Sequence, residues 1–100
     1  GLIYHDARDF KEAVKWMRKA AEQGDMAAQS NLGLMYDRGE GVLEDDVTAY
    51  AWYNIAAANG SATGKKNKGI VAKKMTADQI AKAQELSREM IKKNPKLLNK

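Results

Sequence analysis

The chain repeats itself thirty-six residues apart. Asp9, Ala13, Trp16, Ala20, Ala21, Gly24, Asn31 and Gly33 recur as Asp45, Ala49, Trp52, Ala56, Ala57, Gly60, Asn67 and Gly69. A self-similar period of this length marks stacked helical hairpins, because one hairpin cannot bury its apolar face alone and its neighbours must cover it. The expectation is an all-α fold, an α/α superhelix or solenoid of antiparallel helix pairs. Such an array offers an extended surface to a partner.

Local signals place the helices. Asp9 with Glu12 reads as a capped helix start and Gly24 as its left-handed stop. Between them, Phe10, Ala13, Val14, Trp16, Met17, Ala20 and Ala21 form a stripe wide enough to pack on two sides. Asp25 caps a second helix with Ala28, Leu32, Met35 and Tyr36 on one face, ending near Arg38 and Gly39. After the glycine turn Gly39-Glu40-Gly41, Asp45 caps a second tryptophan helix that ends at Asn59-Gly60. Ser61 to about Lys74 is a degenerate third helix of the Leu32 type, with Lys68 in place of Leu32 and Ala72 in place of Tyr36. Thr76 with Gln79 opens a closing helix to about Lys93, apolar at Ile80, Ala83, Leu86, Met90 and Ile91. Asn94-Pro95 stops it, and the last residues are predicted to fray.

The units are therefore a partial first repeat over 1–24, a full repeat over 25–60, the degenerate helix over 61–75, a capping helix over 76–93 and a tail over 94–100. Gly1 to Tyr4 (GLIY) nearly copies Gly33 to Tyr36 (GLMY), so the first residue is expected to fall inside a helix of a longer parent.

Composition narrows the chemistry. No cysteine is present, which excludes disulfides, thiolate zinc sites and cysteine nucleophiles. His5 is the lone histidine, no serine sits in a nucleophile-elbow pattern, and Asp37, Glu40, Glu44, Asp45 and Asp46 lack the spacing of a calcium loop. The expectation is no catalysis, no metal and no cofactor. The weakly polar stretch from Ala49 to Ala58 is far short of the roughly 20 residues of a membrane helix, so the chain reads as soluble. Its compartment, bacterial cytoplasm or periplasm, is open. Residues 1–50 carry a balance of −4 and residues 51–100 one of +8, within a net charge of +4. Such a gradient can steer an acidic partner or stack copies head to tail.

The motif A-x-x-N-L-G-x-M-Y from Ala28 to Tyr36, then G-x-G-V from Gly39 to Val42, then Asp45, Ala49, Trp52, Ala56-Ala57 and Gly60 resemble the Sel1-like repeat family, relatives of the tetratricopeptide arrays. The resemblance covers about residues 1–72, and the segment from Lys73 to Met90 is similar to the terminal piece that often closes bacterial members. It implies a right-handed superhelix acting in protein–protein interaction, signalling or envelope processes.

Trp16 and Trp52 both read as packing anchors, and the alanine pairs and glycines as close-packing devices. Asn31 and Asn67 echo without a packing reason, and an amide can donate to and accept from an extended peptide. In tetratricopeptide arrays the A-type helices line the concave groove. By that analogy Ser30, Asn31, Leu34 and Arg38 face a groove, with Lys66, Asn67, Ile70, Lys73 and Lys74 in the next copy. The set suits a peptide with acidic side chains or a free carboxylate. The competing structural reading has both asparagines bridging neighbouring repeats.

A rival function is an anion-binding module in which Lys65, Lys66, Lys68, Lys73 and Lys74, backed by Lys82, Lys92, Lys93 and Lys96, grip nucleic acid or an anionic membrane surface. No aromatic follows Tyr53, so bases are offered nothing to stack on. Self-association through the oppositely charged ends is a third possibility.

Overall fold

The computed structural model describes residues 7–99, with side chains from Asp9 onward. These residues form α1 (Ala7–Glu22), α2 (Met26–Arg38), α3 (Asp46–Ala58), α4 (Ala62–Ala72), α5 (Ala77–Lys93) and a closing 3-10 turn, Pro95–Leu97, with no strand among them. The GLIY copy and His5 lie outside the described residues.

Side chains fix most helix starts by accepting from amides that have no partner in the first turn. The Asp25 carboxylate accepts from Ala28 N at 3.1 Å, Asp45 from Thr48 N at 3.2 Å, and the Ser61 hydroxyl from Gly64 N at 2.9 Å. Each such cap is worth about 1 kcal/mol. Thr76 and Gln79 close both arms of a capping box, with Gln79 N donating to Thr76 Oγ1 and Thr76 N donating to Gln79 Oε1. The start of α1 departs from the expectation. The helix already runs at Ala7, so Asp9 sits in its first turn instead of capping it. A carboxylate there still favours the positive end of the helix dipole.

Helix α3 is the centre of the fold and packs on α2, α4 and α5. Ala49, Tyr50, Ala51, Trp52, Tyr53, Ile55 and Ala56 are all buried, and a helix that is apolar on every side must be enclosed. One cluster joins α1, α2, Trp52, Ile55 and Leu97; a second joins Ala49, Tyr50 and Tyr53 to Val71 and Ala83. Small residues let the helices approach. A Cβ on Gly33 would stand 2.7 Å from the Tyr53 ring, and one on Gly64 would stand 2.8 Å from Ala56 Cβ. Gly69, the echo of Gly33, has open space around it and makes no such contact.

In the degenerate copy, Lys68 is half-buried and solves a polarity problem. Its ammonium donates to Asn54 Oδ1 at 3.2 Å and lies 6.0 Å from the centre of the Tyr50 ring, so the stem fills the slot while the charge is answered.

Two further expectations fail. Trp52 is 4% exposed, but Trp16, its echo, is 60% exposed. The reason is the preceding repeat: Trp52 packs into the cluster of Ala13, Val14 and Ala21 on α1 and Ala28, Leu32 and Met35 on α2, with Leu97 and Met90 beside it. No described element lies over α1 in that way. Accordingly, Lys11, Lys15 and Lys19 stand on α1 where α3 carries Val47, Ala51 and Ile55, and Lys19 Nζ sits 4.9 Å from the Trp16 ring centre. The second failure is the tail, which does not fray. Its 3-10 turn is pinned to the body and Leu97 is 2% exposed.

Candidate interaction surface

The two A-type helices, α2 and α4, lie side by side. On α2, Asn31 and Arg38 are exposed and Leu34 is half-buried; on α4, Lys66, Ile70 and Lys73 are exposed and Asn67 is half-buried. Asn31, Leu34 and Arg38, and likewise Lys66, Ile70 and Lys73 at the C-cap of α4, are three, four or seven residues apart and share one face, with Asn67 one residue round from Lys66. Asn31 and Asn67 have no side-chain partner among the described residues, so neither bridges neighbouring repeats. At the N-terminal end of the two helices, Met26, Ala27, Asn31, Ala62 and Thr63 rim a cavity of about 300 Å³.

Two of the expected groove residues have other employment. Ser30 is buried, and its hydroxyl shares a hydrogen bond of 2.9 Å with that of Ser61, so it ties α2 to the start of α4 beneath the surface. Lys74 Nζ donates to Asp37 Oδ1 at 2.9 Å and stands 3.5 Å from Asp46 Oδ1. It clamps the end of α2 and the start of α3 to the segment after α4. The hydrogen bond to Asp37 and the two carboxylate charges hold the Lys74 ammonium above its ordinary range despite slight desolvation. Asp46 Oδ1 is buried without a hydrogen bond, so its attraction to Lys74 is its compensation.

Asp37 also accepts from Tyr53 Oη at 3.2 Å. Burial first, then the Asp37 charge and this hydrogen bond, push the Tyr53 phenol far above its ordinary range, which keeps it a neutral donor. The acidic stretch singled out in the sequence is thus divided. Asp37 and Asp46 meet Lys74, Asp45 caps α3, and no group of three acidic or histidine side chains among the described residues is placed to hold a metal. No described helix is long and apolar enough to cross a membrane.

Sequence reasoning missed three contributors to this end of the molecule: the Ser30–Ser61 pair, exposed Met26, and the buried amide of Gln29. The echo of Gln29 one period later is Lys65, so periodicity could not flag it. A lone buried glutamine only shows itself once its partners are known.

A stack of helix hairpins with one polar, partly apolar face left open defines a helical-repeat interaction module. The chain belongs to the Sel1 repeat family, whose repeat matches residues 3–25 and 27–61. Its structure is similar to that of a protective antigen present in uropathogenic Escherichia coli strains and displaying an SLR fold, with a TM-score of 0.84 and 44% identity over 92% of this chain and 20% of that one. In sequence it is similar to chitin synthase regulatory factor 3 of Schizosaccharomyces pombe, 41% identical over 56 residues, which is 56% of this chain and 6% of the relative. The chain therefore spans a small part of either protein. Sel1-repeat proteins generally serve as protein-interaction and regulatory modules.

Proposed function

We propose that the chain is a non-catalytic module that binds another protein or peptide along the face made by α2 and α4. The observation that carries the reading is the row of Asn31, Arg38, Lys66, Ile70 and Lys73, exposed side by side on two adjacent helices. Asn31 supplies a donor and an acceptor for a peptide backbone. Ile70, half exposed, supplies an apolar seat, and Arg38, Lys66 and Lys73 favour acidic side chains or a free carboxylate. Lys74 is left out of this set because Asp37 and Asp46 already hold it.

The test is capture of binding proteins on the immobilised native chain against an Asn31→Ala plus Lys66→Glu chain, with far-UV circular dichroism as a folding control. Proteins held by the native chain should be lost from the variant at equal helicity. Undiminished capture by a folded variant would remove the α2/α4 face. Salt separates this reading from an anion-binding one: affinity for a single-stranded oligonucleotide or an anionic vesicle that fell steeply with log salt, over several phosphate contacts, would favour the lysines acting together.

A further inference from the structure

We propose that residues Asn94–Asn99 occupy a peptide-docking slot beneath α1, α2 and α3, and that the slot takes a leucine-bearing segment of a partner protein in competition with this tail. The slot uses none of the α2/α4 face residues, so the two readings stand or fall separately.

The recognition is of backbone. Leu97 O accepts from Gln29 Nε2 at 2.9 Å and from Asn59 Nδ2 at 2.8 Å, while Asn99 N donates to Asn59 Oδ1 at 2.8 Å. One asparagine therefore reads the carbonyl of one residue and the amide two residues on, across the extended backbone of Leu98 that follows the 3-10 turn. Gly24 completes the fit. A Cβ there would stand 2.7 Å from Lys96 O, so the tail backbone lies directly against this glycine.

The donors of the slot are also held by bonds that do not involve the tail. Gln29 is fully buried, donates to Ala21 O at 3.0 Å and accepts from Asn59 Nδ2 at 2.8 Å, and neither bond involves residues 94–99. With the tail gone, Gln29 and Asn59 would keep each other in place and present the same donors to a replacement.

Beyond these bonds the tail is held by Asn94 Nδ2, which donates to Glu22 O at 3.0 Å, and by Leu97, which joins the cluster of α1, α2, Trp52 and Ile55. Asn94-Pro95 breaks α5, Pro95, Lys96 and Asn99 are exposed, and Leu97 is the one side chain of the segment that is buried. It also leaves room. Beside Leu97 a cavity of about 240 Å³ is lined by Trp52 and Met90 with Arg18 and Glu22 on the rim. The apolar anchor of a competitor can be bulkier than leucine.

The experiment uses the full chain carrying Leu97→Ala and a fluorescent synthetic peptide of residues 94–99 as probe, read by anisotropy. Saturable binding is expected to the Leu97→Ala chain, at least tenfold weaker binding to the native chain because its own tail competes, and loss of binding when Gln29→Ala is added or when the peptide carries Leu97→Ala. A Leu97→Ala chain that keeps its helical signal and cooperative melt yet ignores the peptide overturns the proposal. So does one that unfolds, since the tail is then inseparable from the core.

Hydrogen exchange on the native chain gives an independent check. The amides of Leu97, Leu98 and Asn99 are expected to exchange at least tenfold faster than that of Ile55 in α3, reporting tail release from an intact body. Equal rates contradict release.

Discussion

At the scale of single residues, the two tryptophans separate what the repeat encodes from what packing adds. They share a register position, yet Trp52 is enclosed and Trp16 is open. Trp52→Ala should therefore cost about 3–5 kcal/mol, as large-to-small changes in a core do, whereas Trp16→Ala should stay within about 0.5 kcal/mol. Urea denaturation of the two variants measures the contrast, and similar losses would contradict the burial assignment. The difference was legible in principle. Lys15 and Lys19 stand where Ala51 and Ile55 stand on the second copy, and two lysines at a packing register announce an uncovered face.

Tyr53 and Lys74 give a pH signature at the same scale. Both pKa values are raised in the folded chain, Tyr53 by burial and Asp37, Lys74 by its hydrogen bond and ion pairs with Asp37 and Asp46. A raised value means that the folded state holds its proton where the unfolded state releases it. The stabilisation is then complete below about pH 10, where the unfolded phenol and ammonium titrate, and is lost as pH rises beyond it. Thermal midpoints should show no pH dependence from these groups between pH 7 and 9 and should fall above pH 10. Tyr53→Phe should shallow the alkaline fall while costing about 1 kcal/mol at neutral pH for the lost hydrogen bond.

At the scale of elements, caps were the most readable feature. Asp25, Asp45 and Thr76 are short polar side chains set just before apolar periodicity, and each accepts from an amide of the first helical turn, whereas Asp9 lies inside α1 and Ser61, read as part of its helix, caps it. Thr76→Ala should lower stability by about 1 kcal/mol, and Thr76→Ser should restore most of it in the same melts. Failure of the serine to rescue would contradict a capping role. The α5 core face was read less well: Ser87 is buried while Leu86 is only half-buried, because Ser87 answers Asn54 across the α3 interface. The tail was misread for a related reason. Asn-Pro-Lys-Leu-Leu-Asn looks like a frayed end when only neighbours in sequence are weighed. Its partners, Gln29 and Asn59, stand far back along the chain.

At the scale of the whole molecule, the thirty-six-residue period gave the helix order, and the structure adds that α3 lies at the centre, packed on α2, α4 and α5. The surface followed by a weaker inference. Analogy with related arrays pointed to one row of α2 and α4 residues, and the structure sets Ser30 and Lys74 apart from that row by giving them internal partners. Charge followed the same division. Lys74 meets two acidic side chains of the first half, whereas Lys66 and Lys73 remain exposed.

The most direct test of the central claim is site-specific photocrosslinking in cells, with a photoreactive amino acid placed in turn at Asn31, Lys66 and Ile70 on the α2/α4 face and at Glu85 and Arg88 on exposed α5. A protein adduct from the first three positions and none from the α5 pair is the expected result. Adducts from α5 alone, with none from α2 and α4, would contradict it.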